Sequence, residues 1–422
     1  MTFALGTSRS ASTAAPAGLD VQRIRAEFPI LAQQVHGKPL VYMDNAATSQ
    51  KSLAVLDAIS RYYREYNANV HRGLHHLAET ATAAYENTRV KAQRFINAAD
   101  AREIIFVRGT TEAMNLIAQA YARNTLKPGD EVLITTMEHH SNIVPWQIAC
   151  GQTGAVLRAA PVSDRGELIV EEFAKLLSPR TKIVSLTHVS NALGTINPVK
   201  ELTRLAHERG AIVVIDGAQA APHLKIDVRD IGCDFYAFSG HKAFGPTGVG
   251  VLYGRFDLLD AMPPWQGGGE MIKNVTIEKT IYNDVPYRFE AGTPNIEGVV
   301  GLGAAIDWLS TMDQRAVASH EQSLLDYGTR CLQEVPGLRL IGTAEHKVSV
   351  LSFVIQNQHP YEIGQIVDHE GVAIRTGHHC AQPLMDRFNV PATCRASLAM
   401  YNTHAEIDAL VAALHKAGRM LG

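Results

Sequence analysis

The chain has 422 residues, of which 46% are hydrophobic and 19% charged, and its formal net charge is −3. This composition is typical of a globular protein with a large buried core, and the length favours two domains over one. The near-neutral charge gives no general attraction to nucleic acid or anionic membranes, and we find neither an apolar run of about eighteen residues nor a secretory leader. We therefore expect a cytoplasmic protein with no nucleic-acid partner and no membrane partner.

The predicted elements begin after residues 1–19, a stretch rich in Ser, Ala and Thr that we expect to form a disordered tail. A short helical pattern at 21–28 precedes a strand at 40–44, and the small residues at 45–48 allow a ligand to approach the backbone. Helical patterns at 53–66 and 80–95 enclose His71, His75 and His76. The spacing of these histidines favours a loop lining a polar cleft over a metal site.

A regular alternation of apolar strands and amphipathic helices follows. Strands are predicted at 103–107, 131–135, 155–160, 182–188, 211–216 and 234–238, and helices at 111–123, 142–151, 169–177 and 199–209. This pattern is typical of an α/β fold with a mostly parallel sheet covered on both faces. A helix is predicted near residue 296, and a separate α+β unit from about 318, with helices at 320–333, 360–370 and 404–421 and strands at 348–355 and 372–375.

Ligands bind at the carboxyl ends of the strands in such sheets, and polar residues collect there. They fall at 109–111, 138–140, 188–191, 216–219 and 239–242. Gly109, Thr110 and Thr111 open a helix, where backbone N–H groups bind anions, although an ordinary threonine N-cap has the same pattern.

Two of these strand ends carry groups of opposite charge. Lys242 follows a strand, and a desolvated amine there can attack an aldehyde carbon; the alternative is a surface lysine in a turn. Asp216 ends an apolar run, where a buried carboxylate requires a cationic partner. That partner is either a protonated pyridine nitrogen or an arginine.

The second unit carries a candidate nucleophile among the five cysteines, which include no C-x-x-C pair. Cys380 follows His378 and His379 and lies near Arg375, a setting that favours a reactive thiolate over a zinc site. Arg375 and Arg395 are candidates for a carboxylate clamp, with surface salt bridges as the alternative.

Four motifs together carry a family resemblance over nearly the whole chain from residue 21. They are Ser-Gly-His-Lys at 239–242, His-Val-Ser-Asn at 188–191, Asp-Gly-Ala-Gln at 216–219 and Arg-Thr-Gly-His-His-Cys-Ala at 375–381. The chain resembles the pyridoxal-phosphate-dependent cysteine desulfurases of the SufS/CsdA type, in the class-V aminotransferase family. The resemblance implies fold type I, with a mostly parallel seven-stranded sheet covered by helices, a smaller α+β C-terminal domain, and a homodimer with active sites at the interface.

The resemblance also implies a role for each matching residue. Lys242 would hold pyridoxal phosphate covalently, Asp216 would pair with the pyridine nitrogen, Gln219 would donate to the ring phenolate, and His139 would stack on the ring. The phosphate-binding residues would be Thr110, Thr111, Ser239 and His241, with Thr293 from the other subunit. Asn191 and Arg395 would bind the substrate carboxylate, and the predicted substrate site also includes Arg375, Ala46 and His71. We predict no metal ligand.

In the reaction that the resemblance implies, L-cysteine becomes L-alanine and Cys380 becomes a persulfide. Only four residues separate Arg375 from Cys380, so we expect the persulfide to stay in place and a SufE-like or SufU-like acceptor protein to come to it for iron–sulfur cluster assembly. Two alternatives remain open: a selenocysteine lyase with the same residues, and a non-catalytic scaffold for iron–sulfur assembly.

These inferences divide the chain into four segments. Residues 1–19 form the tail, and residues 20–39 pack with the small domain. Residues 40–300 form the large domain that binds the cofactor, and residues 301–422 form the small domain that carries the catalytic cysteine.

Overall fold

The computed structural model describes residues 18–422, so the predicted tail lies outside the described residues except for Gly18 and Leu19. The helices are α1 (Val21–Ala26), α2 (Leu53–Glu65), α3 (His76–Phe95), α4 (Thr110–Leu116), α5 (Arg123–Thr125), α6 (Val144–Thr153), α7 (Val170–Leu176), α8 (Val199–His207), α9 (Val228–Ile231), α10 (Phe256–Ala261), α11 (Ile296–Ser310), α12 (Gln314–Gln333), α13 (Pro360–His369), α14 (Gln382–Arg387) and α15 (His404–Leu421). A π-helical stretch, Ile117–Ala122, joins α4 to α5. The chain from residue 110 to residue 125 is therefore one helical run.

The strands are two to seven residues long. They are β1 (Gln34–Val35), β2 (Lys38–Pro39), β3 (Val41–Tyr42), β4 (Ile104–Val107), β5 (Glu131–Thr135), β6 (Val156–Ala160), β7 (Thr181–Thr187), β8 (Ile212–Asp216), β9 (Phe235–Ser239), β10 (Gly250–Gly254), β11 (Ile272–Val275), β12 (Thr280–Tyr282), β13 (Leu338–Ile341), β14 (Val350–Ile355), β15 (Val372–Ala373), β16 (Arg375–Gly377) and β17 (Thr393–Ser397).

The main sheet has seven strands in the order β4-β10-β9-β8-β7-β5-β6. Strands β5 to β9 pair in parallel, whereas β10 runs antiparallel to both of its neighbours. Strands β5, β9 and β10 are buried along their whole length, as expected for a sheet covered on both faces. The predicted α/β fold with a mostly parallel seven-stranded sheet is confirmed.

The C-terminal unit contains an antiparallel sheet in the order β13-β14-β17-β16. Its apolar face packs in a core of its own with residues of α12, α13 and α15. The segment before residue 45 contacts this unit, because β3 pairs in parallel with β15 and Arg25 forms an ion pair with Glu406 at 3.0 Å. The predicted boundary at 300/301 stays a prediction, and helix α11 runs through it without interruption.

Several elements differ from the sequence-based prediction. Helix α3 begins at His76 rather than residue 80, because the His75 side chain accepts a hydrogen bond from the Ala78 N–H at 3.3 Å and caps an earlier turn. The predicted strand at 372–375 is two strands, β15 and β16, which belong to different sheets. Strands β10, β13 and β17 and the hairpin β11–β12 were not predicted. In the described part of the chain, no helix is long and apolar enough to cross a bilayer.

Candidate active site

The polar strand ends of the main sheet and the segment after β16 enclose a cavity of about 450 Å³. It brings together residues from both halves of the chain. The predicted site residues that line it are Ala46, Thr110, Thr111, His139, Asn191, Asp216, Gln219, Ser239, His241, Lys242, Arg375, Cys380 and Arg395. Thirteen of the fifteen residues that sequence reasoning selected therefore meet at one place.

Lys242 and Asp216 come from neighbouring strands of the sheet. Asp216 is the last residue of β8, and Lys242 ends a 3₁₀ turn directly after β9. Burial lowers the pKa of Lys242 to about 8, although the nearby Asp216 carboxylate opposes this shift. Burial also raises the pKa of Asp216, while the Ala218 N–H, which donates to its carboxylate at 2.9 Å, acts in the opposite direction. The cavity thus contains a lysine that loses its proton more readily than a lysine in water.

One end of the cavity carries hydroxyl groups and the start of a helix. The Ser239 hydroxyl lies 2.9 Å from both the backbone nitrogen and the hydroxyl of Thr110, at the start of the helical run from residue 110. Gly109, with φ of 153°, brings the chain into that helix in a conformation that favours glycine. His241 lines the same end, and burial lowers its pKa to about 4, so the imidazole is neutral at pH 7. Hydroxyls and helix N–H groups are the donors that phosphate binding requires, and the predicted phosphate site stays a prediction.

His139 lies on the cavity wall at the end of β5. Its Nδ1 accepts a hydrogen bond from the Ser141 backbone N–H at 3.0 Å, and the Ser141 hydroxyl lies 2.8 Å away. Burial, with a contribution from the charge of Lys242, lowers the pKa of His139 to about 3. The ring is therefore neutral, and the contact with Ser141 assigns its proton to Nε2.

The two arginines of the predicted carboxylate clamp share one acidic partner. Arg375 and Arg395 lie directly opposite each other on β16 and β17. Arg375 donates to Asp44 through Nε and Nη2 at 2.9–3.1 Å, and Arg395 donates to Asp44 at 3.2 Å and to the Asn191 carbonyl at 2.9 Å. Arg395 is 1% exposed, and burial lowers its pKa to about 10. Arg375 has half of its side chain in solvent.

Cys380 follows the two histidines in an exposed turn of the C-terminal unit. His379 and Cys380 both have positive φ, 52° and 54°, which few residues other than glycine adopt. The Cys380 carbonyl accepts a hydrogen bond from the His140 N–H at 2.7 Å, and His140 Nε2 accepts one from Gln382 N–H at 3.2 Å. The turn is thereby anchored to the wall that carries His139, and Cys380 is left exposed.

Two predicted site residues lie outside this cavity. The His71 side chain lies 2.8 Å from Glu86 and 2.9 Å from Glu270, and these carboxylates, against the effect of burial, raise its pKa. Thr293 lines a second cavity of about 500 Å³. Its predicted role requires a second copy of the chain and stays a prediction.

Sequence reasoning missed Asp44 as the partner of both arginines. Asp44 follows an apolar strand, as Asp216 does. The signal that identified Asp216 could therefore also have identified Asp44. Glu138 was predicted only as one of the polar residues after a strand, without a role; it is 0% exposed and accepts hydrogen bonds from Thr135, Asn142 and the Thr187 N–H at 2.6–3.0 Å. Burial raises the pKa of Glu138 to about 7.

Three buried polar atoms of cavity residues have no hydrogen-bond partner among the described residues. They are Gln219 Oε1, Arg395 Nε and His379 Nδ1. Gln219 Nε2 already donates to the Ala46 carbonyl at 2.6 Å, so donation from Gln219 to a ligand would use its second N–H or a flipped amide. Buried polar atoms normally have partners, so these groups fit a polar ligand in the cavity.

The lysine, the acidic residue and the anion site match the donor set of a pyridoxal-phosphate enzyme. Residues 41–410 match the family model of class-V aminotransferases. The chain therefore belongs to the class-V aminotransferase family, and this membership implies pyridoxal phosphate as its cofactor.

Its relatives define the group within that family. The cysteine desulfurase of Dickeya dadantii is 52% identical, over 95% of this chain and 98% of that protein. The cysteine desulfurase of Synechococcus elongatus is 53% identical over 98% of this chain, and this chain covers 66% of its length. The crystal structure of the cysteine desulfurase CsdA from Escherichia coli has a TM-score of 0.90 and 40% identity, over 96% of this chain and 100% of that one. Within the class-V aminotransferases, the chain groups with the cysteine desulfurases.

Proposed function

We propose that the protein converts L-cysteine to L-alanine and transfers the sulfur atom to Cys380 as a persulfide. The observation that carries this proposal is the single cavity lined by Lys242, Asp216, Arg395 and Cys380. An aminotransferase needs the lysine and the carboxylate but has no use for a thiol at that place. A scaffold for iron–sulfur assembly has no use for the buried lysine.

The residues that would hold pyridoxal phosphate all line the cavity. Thr110, Thr111, Ser239 and His241 would bind its phosphate, and Asp216 would pair with the ring nitrogen. When bound, the cofactor supplies an electron sink that makes the substrate Cα proton acidic and weakens the bond to sulfur. Asp216 would support this chemistry because a buried carboxylate is stabilised by a positive partner, which here would be the ring nitrogen in its protonated form.

Lys242 is suited to move the proton from the substrate Cα. Its lowered pKa, about 8, places a useful fraction of the amine in the neutral form at physiological pH, and a general base works best near the working pH. Because His139 is neutral, its ring adds no second positive charge beside Lys242. His139 is thus suited to the stacking role that the family resemblance implies.

Arg395 is suited to orient the substrate through its carboxylate. Its guanidinium is buried, and Nε has no partner among residues 18–422, so a donor remains available in the cavity. A charge-assisted bond from a fixed guanidinium orients a carboxylate well. Asn191 lies beside it, with its side-chain amide donating to the His379 carbonyl at 2.7 Å.

Cys380 is suited to accept the sulfur. Its thiolate would attack the substrate sulfur, forming a sulfur–sulfur bond as the Cβ–sulfur bond breaks. The electron pair of that bond stays with Cβ, which takes a proton, and the return of a proton to Cα by Lys242 completes alanine. Since Cys380 is exposed and its turn is anchored through His140, the persulfide would remain at the surface, where an acceptor protein can reach it.

The proposal extends to partners and compartment. A SufE-like or SufU-like protein would take the sulfur for iron–sulfur cluster assembly. A homodimer would supply Thr293 to the other subunit's phosphate site. Five free cysteines fit the reducing conditions of the cytoplasm.

The test uses the purified full-length chain with added pyridoxal phosphate. We expect the wild-type protein to become yellow and to keep the cofactor after borohydride reduction, whereas Lys242→Ala should bind it only reversibly. Cys380→Ala should bind cofactor normally but lose persulfide formation and sulfide release from L-cysteine. Full sulfide release by Cys380→Ala would contradict the proposed sulfur transfer.

The same variant separates the selenocysteine lyase alternative. Selenium leaves carbon more readily than sulfur and needs less help from a thiol. If Cys380→Ala retains turnover of selenocysteine and wild-type protein prefers it to cysteine, the protein is a selenocysteine lyase.

A further inference from the structure

The backbone carbonyl oxygen of His241 is the acceptor for an unusual number of donors. The Ser49 N–H reaches it at 3.1 Å, the Thr48 hydroxyl at 3.0 Å, the Ser49 hydroxyl at 3.2 Å and Lys51 Nζ at 2.9 Å. All four donors come from residues 48–51, about 190 positions earlier in the chain. A carbonyl oxygen has two lone pairs, so these donors compete for one acceptor.

Lys51 is the only one of the four donors that carries a charge. Thr48 has an alternative acceptor, because its hydroxyl also lies 3.3 Å from His241 Nδ1. The two acceptors of Lys51 are both backbone carbonyls, those of Ser49 and His241. Burial lowers the pKa of Lys51 to about 8, so the side chain is placed there at a cost in free energy. A bond from an ammonium group is about twice as strong as a neutral one, which makes Lys51 the strongest of the four donors.

The accepting carbonyl belongs to the peptide that joins His241 to Lys242. Both side chains line the cavity, and both leave the backbone within the 3₁₀ turn Gly240–Lys242. Fixing the orientation of this peptide therefore fixes the starting point of the lysine and of the histidine together. No other hydrogen bond from a charged side chain to this turn is present in the described chain.

We propose that Lys51 is a positioning residue that holds the His241–Lys242 peptide, and thereby sets the orientation of the Lys242 amine towards the cofactor. This inference rests on the proposed function, because it assigns Lys51 a role toward the lysine that binds the cofactor. Lys51 does not line the cavity, so it acts through the backbone and not on the substrate.

The test compares Lys51→Met with Lys51→Arg, which keeps a charged donor. The matched control is Lys347→Met, because Lys347 is also a partly buried lysine whose pKa is lowered to about 8 and which donates to a backbone carbonyl, Gly342, at 2.7 Å. For each variant, the rate of cofactor release and the pH midpoint of the visible band are measured with pyridoxal phosphate, together with kcat and KM for L-cysteine and the unfolding temperature.

We expect Lys51→Met to release pyridoxal phosphate about tenfold faster and to lower kcat by about tenfold, since the variant loses a hydrogen bond from a charged group. The pH midpoint of the band should shift, KM should stay within about twofold, and Lys51→Arg should recover most of the loss. Lys347→Met should leave cofactor release and the pH midpoint unchanged. If Lys51→Met does not fold, Lys51→Gln replaces it with the same expectations, reduced in size.

Equal behaviour of Lys51→Met and Lys347→Met in cofactor release and pH midpoint would overturn this inference and leave the proposed function intact. A wild-type protein that forms no visible band with pyridoxal phosphate would overturn the proposed function itself. The two failures are distinguished by the wild-type spectrum alone.

Discussion

Replacing Arg395 by lysine tests which arginine binds the substrate carboxylate. Arg395→Lys keeps the positive charge and its partner Asp44, but loses the planar fork and the Nε donor that has no partner in the described chain. A hydrogen bond to a charged group contributes about 1.5–3 kcal/mol, and 1.4 kcal/mol corresponds to a factor of ten. We therefore expect KM for L-cysteine to rise by about tenfold to about a hundredfold.

Arg375→Lys is the matched comparison, because Arg375 lies opposite Arg395 and has committed its Nε and one Nη to Asp44. We expect a rise in KM of less than about threefold, since the interaction that it loses is with the protein at a half-exposed site. The assay is steady-state alanine production at several cysteine concentrations, with unfolding temperatures to confirm folding. If folded Arg395→Lys has an unchanged KM, or if Arg375→Lys has the larger effect, the assignment of Arg395 is refuted.

Two further predictions concern residues at the carboxyl ends of strands β8 and β9. Since burial lowers the pKa of Lys242 to about 8, capture of pyridoxal phosphate by the apo protein should speed up as pH rises through about 8 and then level off. Asp216 raises that pKa, so in Asp216→Asn the midpoint should move to lower pH; stopped-flow absorbance measures both, and a midpoint near the ordinary lysine value would contradict the geometry. Gly217→Ala should lower the free energy of unfolding by about 1–3 kcal/mol, because an added Cβ would overlap the buried Tyr236 ring. In the control Gly151→Ala, the added Cβ would contact no other atom, and residue 151 lies within helix α6. Chemical denaturation should therefore show no loss in the free energy of unfolding.

The sheet was predictable because its strands are continuous apolar runs between amphipathic helices. The predicted strand at 131–135 agrees with β5 at both ends, and the helix at 404–421 agrees with α15. Strand β13 was missed because it has only four residues, and the hairpin β11–β12 because most of its residues are exposed. Each is a short strand at the edge of a small antiparallel sheet, and such strands leave a weak local pattern.

The candidate site was predictable wherever one rule applied, namely that polar residues after parallel strands meet at one edge. That rule predicts that Asp216 and Lys242 lie close together, and both line one cavity. It did not reveal contacts between distant segments, such as Asp44 with Arg375, 331 positions apart, or Lys51 with the His241 carbonyl. These depend on how the N-terminal segment crosses the sheet, which is a property of the tertiary structure.

The most direct test of the account is a single turnover of the holoenzyme with L-cysteine, followed by mass spectrometry of its peptides. We predict one additional sulfur atom on the peptide that carries Cys380 and an equal amount of alanine in solution. Sulfur on another cysteine, or alanine formed at the wild-type rate by Cys380→Ala with all of the sulfur released as sulfide, would contradict the account.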